Sequence, residues 1–219
     1  ALAAEPYPVS VESNVAVKMR DGVVLRADIY RPRQDGRFPV LLQRTPYGKR
    51  GEADFGRTAA ADGFVVVVQD TRGRYASEGE WDPFLHESDD GDDTVEWAGT
   101  LPYSNGKGGM FGGSYVGATQ MLAAIAHPPH LAGICPVVTA SNYHDGWTYQ
   151  GGVFEQWFSE SWTSGLAQDT LNRLAVRHTN ASQGVWELPL TGYPLFNVGR
   201  LGSASDLTAS LAPYFLDWL

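Results

Sequence analysis

One cysteine, Cys135, stands among 219 residues. A lone thiol closes no disulfide framework and builds no zinc cluster, so neither staple is available within the chain. Set in the apolar run LAGICPVV, it reads as a buried structural thiol. Long apolar runs are also missing: FVVVV at 64–68 is far shorter than the roughly 20 residues that span a bilayer, and proline and histidine interrupt the later candidates. This excludes a membrane-spanning helix. Basic runs are missing too, and sixteen Lys plus Arg against twenty-five Asp plus Glu leave a formal charge of -9. That balance argues against nucleic acid and anionic membrane surfaces as partners. Nothing repeats and nothing is low in complexity. What the chain does hold is apolar residues, at 43% enough to supply the core of one large domain or two small ones.

Val15, Val17 and Met19 alternate with polar neighbours, Asp21-Gly22 offers a turn, and Leu25, Ala27 and Ile29 alternate again before Arg31-Pro32. This pattern predicts an antiparallel hairpin. Short continuous apolar runs follow at 40–42, 64–68 and 134–138, as expected of strands buried on both faces. Helical stretches separate them: one over 52–62, stopped by Gly63, and one near 94–99. Strands alternating with helices predict a mostly parallel α/β sheet. From about Ser141 the valine runs vanish, and Phe154, Trp157, Phe158 and Trp162 fall at helical spacing. A separate, mainly helical subdomain is expected there, giving a core over 1–140 and a cap over 141–219.

Several local patterns have ordinary readings. The acidic stretch ESDDGDD, 87–93, lacks EF-hand spacing and reads as a solvated lead-in favoured by the helix dipole. SNGKGG, 104–109, lacks the Ser or Thr of a phosphate loop and reads as a turn entering the next strand. Asn180-Ala181-Ser182 is a formal glycosylation sequon. Ala1-Leu2-Ala3 fits a signal-peptidase pattern without the charged and apolar parts of a signal, which favours a secreted or periplasmic location over the cytoplasm.

The chemistry concentrates in GGMFGGSYVG, 108–117. Met110-Phe111 reads as the end of a strand, and Ala118, Met121, Leu122 and Ile125 repeat as one face of a helix. Ser114 then sits on a sharp strand-to-helix turn that needs small neighbours, which Gly112 and Gly113 supply. The helix start behind it aims N–H groups at the space where an oxyanion would form in acyl transfer. The strict elbow pattern is G-x-S-x-G, and here Val116 occupies the second glycine position with Gly117 one place later.

That stretch, with NVAVKMRDGVVLRADIYRP, LLQRTPYGK, VVVVQDTRGRYASEGEW and APYFLDWL, resembles the α/β-hydrolases that include X-prolyl dipeptidyl-peptidases, cocaine esterase and α-amino-acid ester hydrolases. The family writes its elbow G-x-S-Y-x-G, so the shifted glycine is the family's own form. The resemblance implies an α/β-hydrolase fold with a mostly parallel sheet and a helical cap. It also implies a serine hydrolase acting through an acyl-enzyme on esters or amides, either acyl or X-Pro peptidyl. Ser114 would be the nucleophile, with the Tyr115 backbone N–H and the Tyr47 phenol as oxyanion donors. Trp147 and Trp162 fall where family tryptophans line the acyl pocket, suiting a bulky apolar acyl group. No metal or organic cofactor is implied, because nucleophile, base and donors are all protein groups.

The triad acid and histidine are not evident. Chain order leaves Asp169 with His178, both on expected cap helices and poorly placed to serve. The family's acid and histidine segments do not occur, so the sequence reads as the N-terminal portion of a larger hydrolase, truncated at the C-terminus. Its expected partners are a small ester, amide or peptide substrate and either the remaining C-terminal part or a second copy. The competing reading is a non-catalytic protein that keeps the hydrolase scaffold for binding or assembly.

Overall fold

The computed structural model describes residues 5–173. Ala1-Leu2-Ala3, His178, the sequon at 180–182 and the APYFLDWL segment lie outside them. The chain divides into two compact units. The first runs to Gly79 and from Phe84 to Thr139, and the second takes Glu80–Pro83 and the chain from Ala140 onward.

The first unit begins with the expected hairpin. Strands β1 (Val9–Lys18) and β2 (Val24–Pro32) pair antiparallel with Val17 opposite Leu25. Gly22 turns between them at φ 93, and the Met19 N–H donates to the Val23 carbonyl at 2.8 Å. The strand extends further back than the alternation suggests because a bulge between Glu12 and Val15 breaks the pattern. Asn14 sits there at φ 58, its N–H donating to Asp28 Oδ1.

Strands β3 (Phe38–Thr45), β4 (Val65–Asp70), β5 (Ser104–Gly113) and β6 (Leu131–Val137) complete a six-stranded sheet in the order β1-β2-β4-β3-β5-β6, parallel from β4 onward. The valine run forms β4, buried throughout. Its alternate residues serve two cores: Val65 and Val67 join Leu25, Leu42 and Met110, while Val66 and Val68 join Tyr30, Ala59 and Ala60. Helices α1 (Ala53–Ala61), α2 (Glu87–Gly99) and α3 (Tyr115–Ile125) connect the strands. Gly63 ends α1 at φ 95, as expected.

Four expectations need correction. ESDDGDD is not a lead-in but the first half of α2, and Glu87 and Asp90 are buried, held by arginines distant in sequence. SNGKGG lies within β5, where Gly106 at φ 80 and a register shift against β3 produce the irregularity that reads as a turn. On β6, Leu131 and Ile134 pack against the core, while past the register shift against β5 Cys135 is exposed with Val137 on the other face. An apolar run sets strand formation, but burial needs a covering layer on each face, and the second face of β6 has none among the described residues. The helix expected from Tyr115 onward forms as α3, and Ala118 of its apolar repeat is buried, but Met121 and Leu122 are half-buried and Ile125 is exposed, whereas Thr119, Gln120 and Ala123 are buried. The helix turns a face with hydrogen-bonding side chains inward, which an apolar count overlooks.

In the second unit, Tyr149–Gln150 (β7) and Val153–Phe154 (β8) form a small hairpin before α4 (Gln156–Arg173). Trp157, Phe158 and Trp162 lie in α4, and Phe154 lies in β8.

Candidate active site

The glycine-rich stretch folds as a strand, one residue and a helix. β5 ends at Gly113, α3 begins at Tyr115, and Ser114 between them adopts φ 57, ψ -128. Such a conformation costs a non-glycine residue on the order of 1–3 kcal/mol and persists only when the surroundings fix it. They do so from both sides. The Ser114 N–H donates to the Val137 carbonyl of β6 at 2.9 Å, and the Ser114 carbonyl accepts from the N–H groups of Gly117 and Ala118. The side chain of Ser114 remains exposed.

The position of the second glycine has a steric cause. Val116 covers Gly112, where any Cβ would collide with the valine side chain. At Gly117 a Cβ would lie 2.8 Å from the Thr139 Cβ and 3.3 Å from the Val137 carbonyl oxygen. Gly117 therefore lets the chain leaving β6 pass close to α3.

β3 and β5 are adjacent and parallel, so the segment leaving β3 and the turn leaving β5 emerge at the same sheet edge. Tyr47 lies on that segment and is 43% exposed. Its backbone is pinned below: the Tyr47 N–H donates to Thr45 Oγ1, and the buried Arg74 donates from Nε to the Pro46 carbonyl at 3.0 Å. The next turn carries Gly48 at φ 97, where a Cβ would sit 3.0 Å from the Tyr75 ring. Lys49 then anchors the loop through its N–H and Nζ to the two carboxylate oxygens of buried Asp70, each at 2.7 Å. The carboxyl ends of parallel strands are where α/β folds place ligands.

Beneath the turn lies a buried polar network that sequence reasoning missed. The Tyr115 hydroxyl donates to Glu87 Oε1 at 2.8 Å and accepts from the Phe84 N–H at 2.9 Å. Glu87 Oε2 accepts from Arg44 Nη1 at 2.6 Å, and Arg44 Nε donates to Gln69 Oε1. Asp90 accepts from both Nε and Nη2 of Arg72, which also reaches Asp21. Burial first, and then the Glu87 carboxylate, push the Tyr115 phenol well above its ordinary range and keep it protonated. The partners are separated by 28 and 43 positions in sequence, so no local spacing announces them.

The histidines divide by position. His130 pairs with Glu96 at 2.7 Å just before β6, whereas the Ser114 turn meets the far end of that strand at Val137. The rise of β6 puts these ends about 20 Å apart. His127 follows the distal end of α3. His144 pairs with Asp145 on the surface of the second unit. Asp169 lies in α4. Trp147 and Trp162 also belong to the second unit: Trp147 packs against Tyr143 and Phe158, and Trp162 is half-buried in α4.

Residues 21–192 match the family described as X-Pro dipeptidyl-peptidase (S15 family). A cocaine esterase from Rhodococcus sp. (strain MB1 Bresler) is 43% identical over 151 residues, covering 66% of this chain and 26% of that protein. A CocE/NonD family hydrolase from Staphylococcus aureus superposes with a TM-score of 0.67 at 29% identity, over 83% of this chain and 36% of that one. A selenomethionine-labelled α-amino acid ester hydrolase gives 0.63 at 28% identity, over 77% and 32%. The chain thus spans about a quarter to a third of the length of these relatives. The sheet and helices of the first unit have the α/β-hydrolase fold.

Proposed function

This chain belongs to the X-Pro dipeptidyl-peptidase (S15) family, and we propose that it carries the nucleophile and oxyanion donors of a serine hydrolase that cleaves ester or amide bonds through an acyl-enzyme. The observation that carries the proposal is Ser114 itself, an exposed hydroxyl on a strained residue between a parallel strand and the helix that starts behind it. In this reading Ser114 Oγ attacks the substrate carbonyl as a histidine base accepts its proton. The Tyr115 N–H, at the first position of α3, and the Tyr47 phenol stabilise the oxyanion. Collapse expels the alcohol or amine, and water then releases the acyl group.

On the family resemblance, the acid and histidine are proposed to lie outside the described residues. On that resemblance alone, Trp147 and Trp162 are proposed as substrate-binding aromatics, favouring an apolar acyl group. Residues 1–140 are taken as hydrolase core and 141–219 as cap.

The test is p-nitrophenyl butyrate hydrolysis by the full-length protein, together with fluorophosphonate labelling read by intact mass. Ser114→Ala is expected to abolish both. Tyr47→Phe is expected to lower turnover on the order of a hundredfold, the cost of one oxyanion donor. Turnover that survives Ser114→Ala would sink the reading. Inactivity of the intact wild type would favour the non-catalytic scaffold instead.

A further inference from the structure

We infer that Tyr115 acts on the site through its side chain as well as its backbone, and that Tyr115, Glu87 and Arg44 form a buried strut of positioning residues that holds the Ser114 turn in its strained geometry. The inference rests on the serine-hydrolase reading above and deepens it.

The turn is constrained on several sides. Ser114 is tied to β6 through Val137, as described. On the other side of the helix start, Gln120 Nε2 donates to the carbonyls of Gly112 and Val116, while its Oε1 accepts from the Cys135 N–H. These bonds link β5, α3 and β6. None of them fixes the first residue of α3 from below, and the Tyr115 side chain does so. Its ring is fully buried and stacks on Phe84 at 4.7 Å with planes 26° apart. Its hydroxyl is clamped between an N–H donor and a carboxylate acceptor.

The clamp leads to rigid parts of the fold. Glu87 is the first residue of α2, and Arg44 lies in β3 with a fully buried side chain. The Arg44 carbonyl accepts from Thr119 Oγ1, which returns the chain of contacts to α3 one turn beyond Tyr115. A rotation of Tyr115 that carried its N–H away from the oxyanion position would break both phenol bonds and leave the buried Glu87 Oε1 without its phenol donor. An unmade buried bond is costly, so the strut resists that rotation. Sub-ångström placement of an oxyanion donor matters because its benefit depends on aim at the developing charge.

Tyr115→Phe removes one oxygen and keeps the ring. Assayed in the full-length protein with p-nitrophenyl butyrate, it should lower kcat at least tenfold and leave KM within twofold. Glu87→Gln should do the same, and the double variant should be no slower than the worse single one, since both break one strut. Should Tyr115→Phe fail to fold, Glu87→Gln carries the test with the same thresholds. A stability control is Val17→Ala in the β1–β2 hairpin. If it matches the Tm loss of Tyr115→Phe yet keeps the parental kcat, the positioning role is supported. If it loses kcat equally, the effect is mere destabilisation and the inference is overturned. A kcat within twofold of the parent in both strut variants, beside an inactive Ser114→Ala, overturns the strut alone. An active Ser114→Ala removes the hydrolase reading and the strut with it.

Discussion

Buried carboxylates beneath the Ser114 turn meet opposite charges, whereas on α4 a carboxylate is buried with none among the described residues. Glu87 and Asp90 are 3% and 1% exposed and are bonded to Arg44, Arg72 and Tyr115. Glu160 is 1% exposed, and among the described residues neither carboxylate oxygen has a partner in good hydrogen-bond geometry, only the nearby Gln156 amide. The hydroxyls of neighbouring Ser159 and Thr163 have no hydrogen-bond partner among the described residues either. The contrast separates two uses of burial. Matched charges give a turn a fixed seat, while burial without a counter-charge penalises the ionised form of a carboxyl.

The largest effect should come from breaking the matched set. Arg44→Met removes the cation that Glu87 faces directly and Asp90 approaches at 3.7 Å, so two carboxylates stay buried with less compensation. A loss of about 3–5 kcal/mol is expected in urea unfolding, the range for a buried pair deprived of one partner. A loss under 1 kcal/mol would mean that the network is no tighter than an exposed one. Next is Gln120→Leu, which keeps the bulk of the side chain but leaves the Cys135 N–H and the carbonyls of Gly112 and Val116 without its amide. About 1–3 kcal/mol is expected, measured by the same unfolding.

This division also marks how far the sequence could be read. The hairpin was legible because apolar residues recur at every second position, Val15, Val17 and Met19 and then Leu25, Ala27 and Ile29, on either side of Asp21-Gly22, and β4 because four consecutive valines fit a strand covered on both faces. The Ser114 turn was legible because the glycines it needs, Gly112, Gly113 and Gly117, lie within three residues of the serine, although the neighbours Gly117 makes room for, Val137 and Thr139, do not. The network was not. ESDDGDD looks like solvated acid whether or not an arginine 43 positions earlier reaches into it, since pairing at that distance is a property of topology. Cys135 shows the same limit, because the apolar run around it sets the strand but not what covers it. The acidic run and the lone thiol were thus misread for one reason: burial depends on elements that local pattern does not contain.

Glu160 sharpens the comparison from the other side. Burial raises its carboxyl above the ordinary value, opposed only in part by the nearby Gln156 amide. A carboxyl raised in the folded state contributes its stability in full below its unfolded pKa and loses it as pH rises through the folded one. Glu160→Gln never ionises, so it should unfold at a higher temperature than the parent at pH 7 and lose that advantage near pH 4. Its gain should be smaller than the Gln120→Leu loss. Equal Tm differences at both pH values would show that Glu160 has a counter-charge after all.

The smallest effect tests whether pairing or burial confers strength. Arg20 is paired more richly than Arg44, with Asp89, Asp92 and Asp93 all within salt-bridge distance. Its side chain is 47% exposed, where that of Arg44 is 0%. Water screens the Arg20 attractions and the long side chain loses rotamer freedom to make them, so partner number should not compensate for exposure. Arg20→Ala should cost only about 0.2–1 kcal/mol, shrinking further in 1 M salt, where the Debye length falls to about 3 Å. A loss that matched Arg44→Met and survived high salt would assign the strength of the elbow network to its number of partners rather than to its exclusion of water.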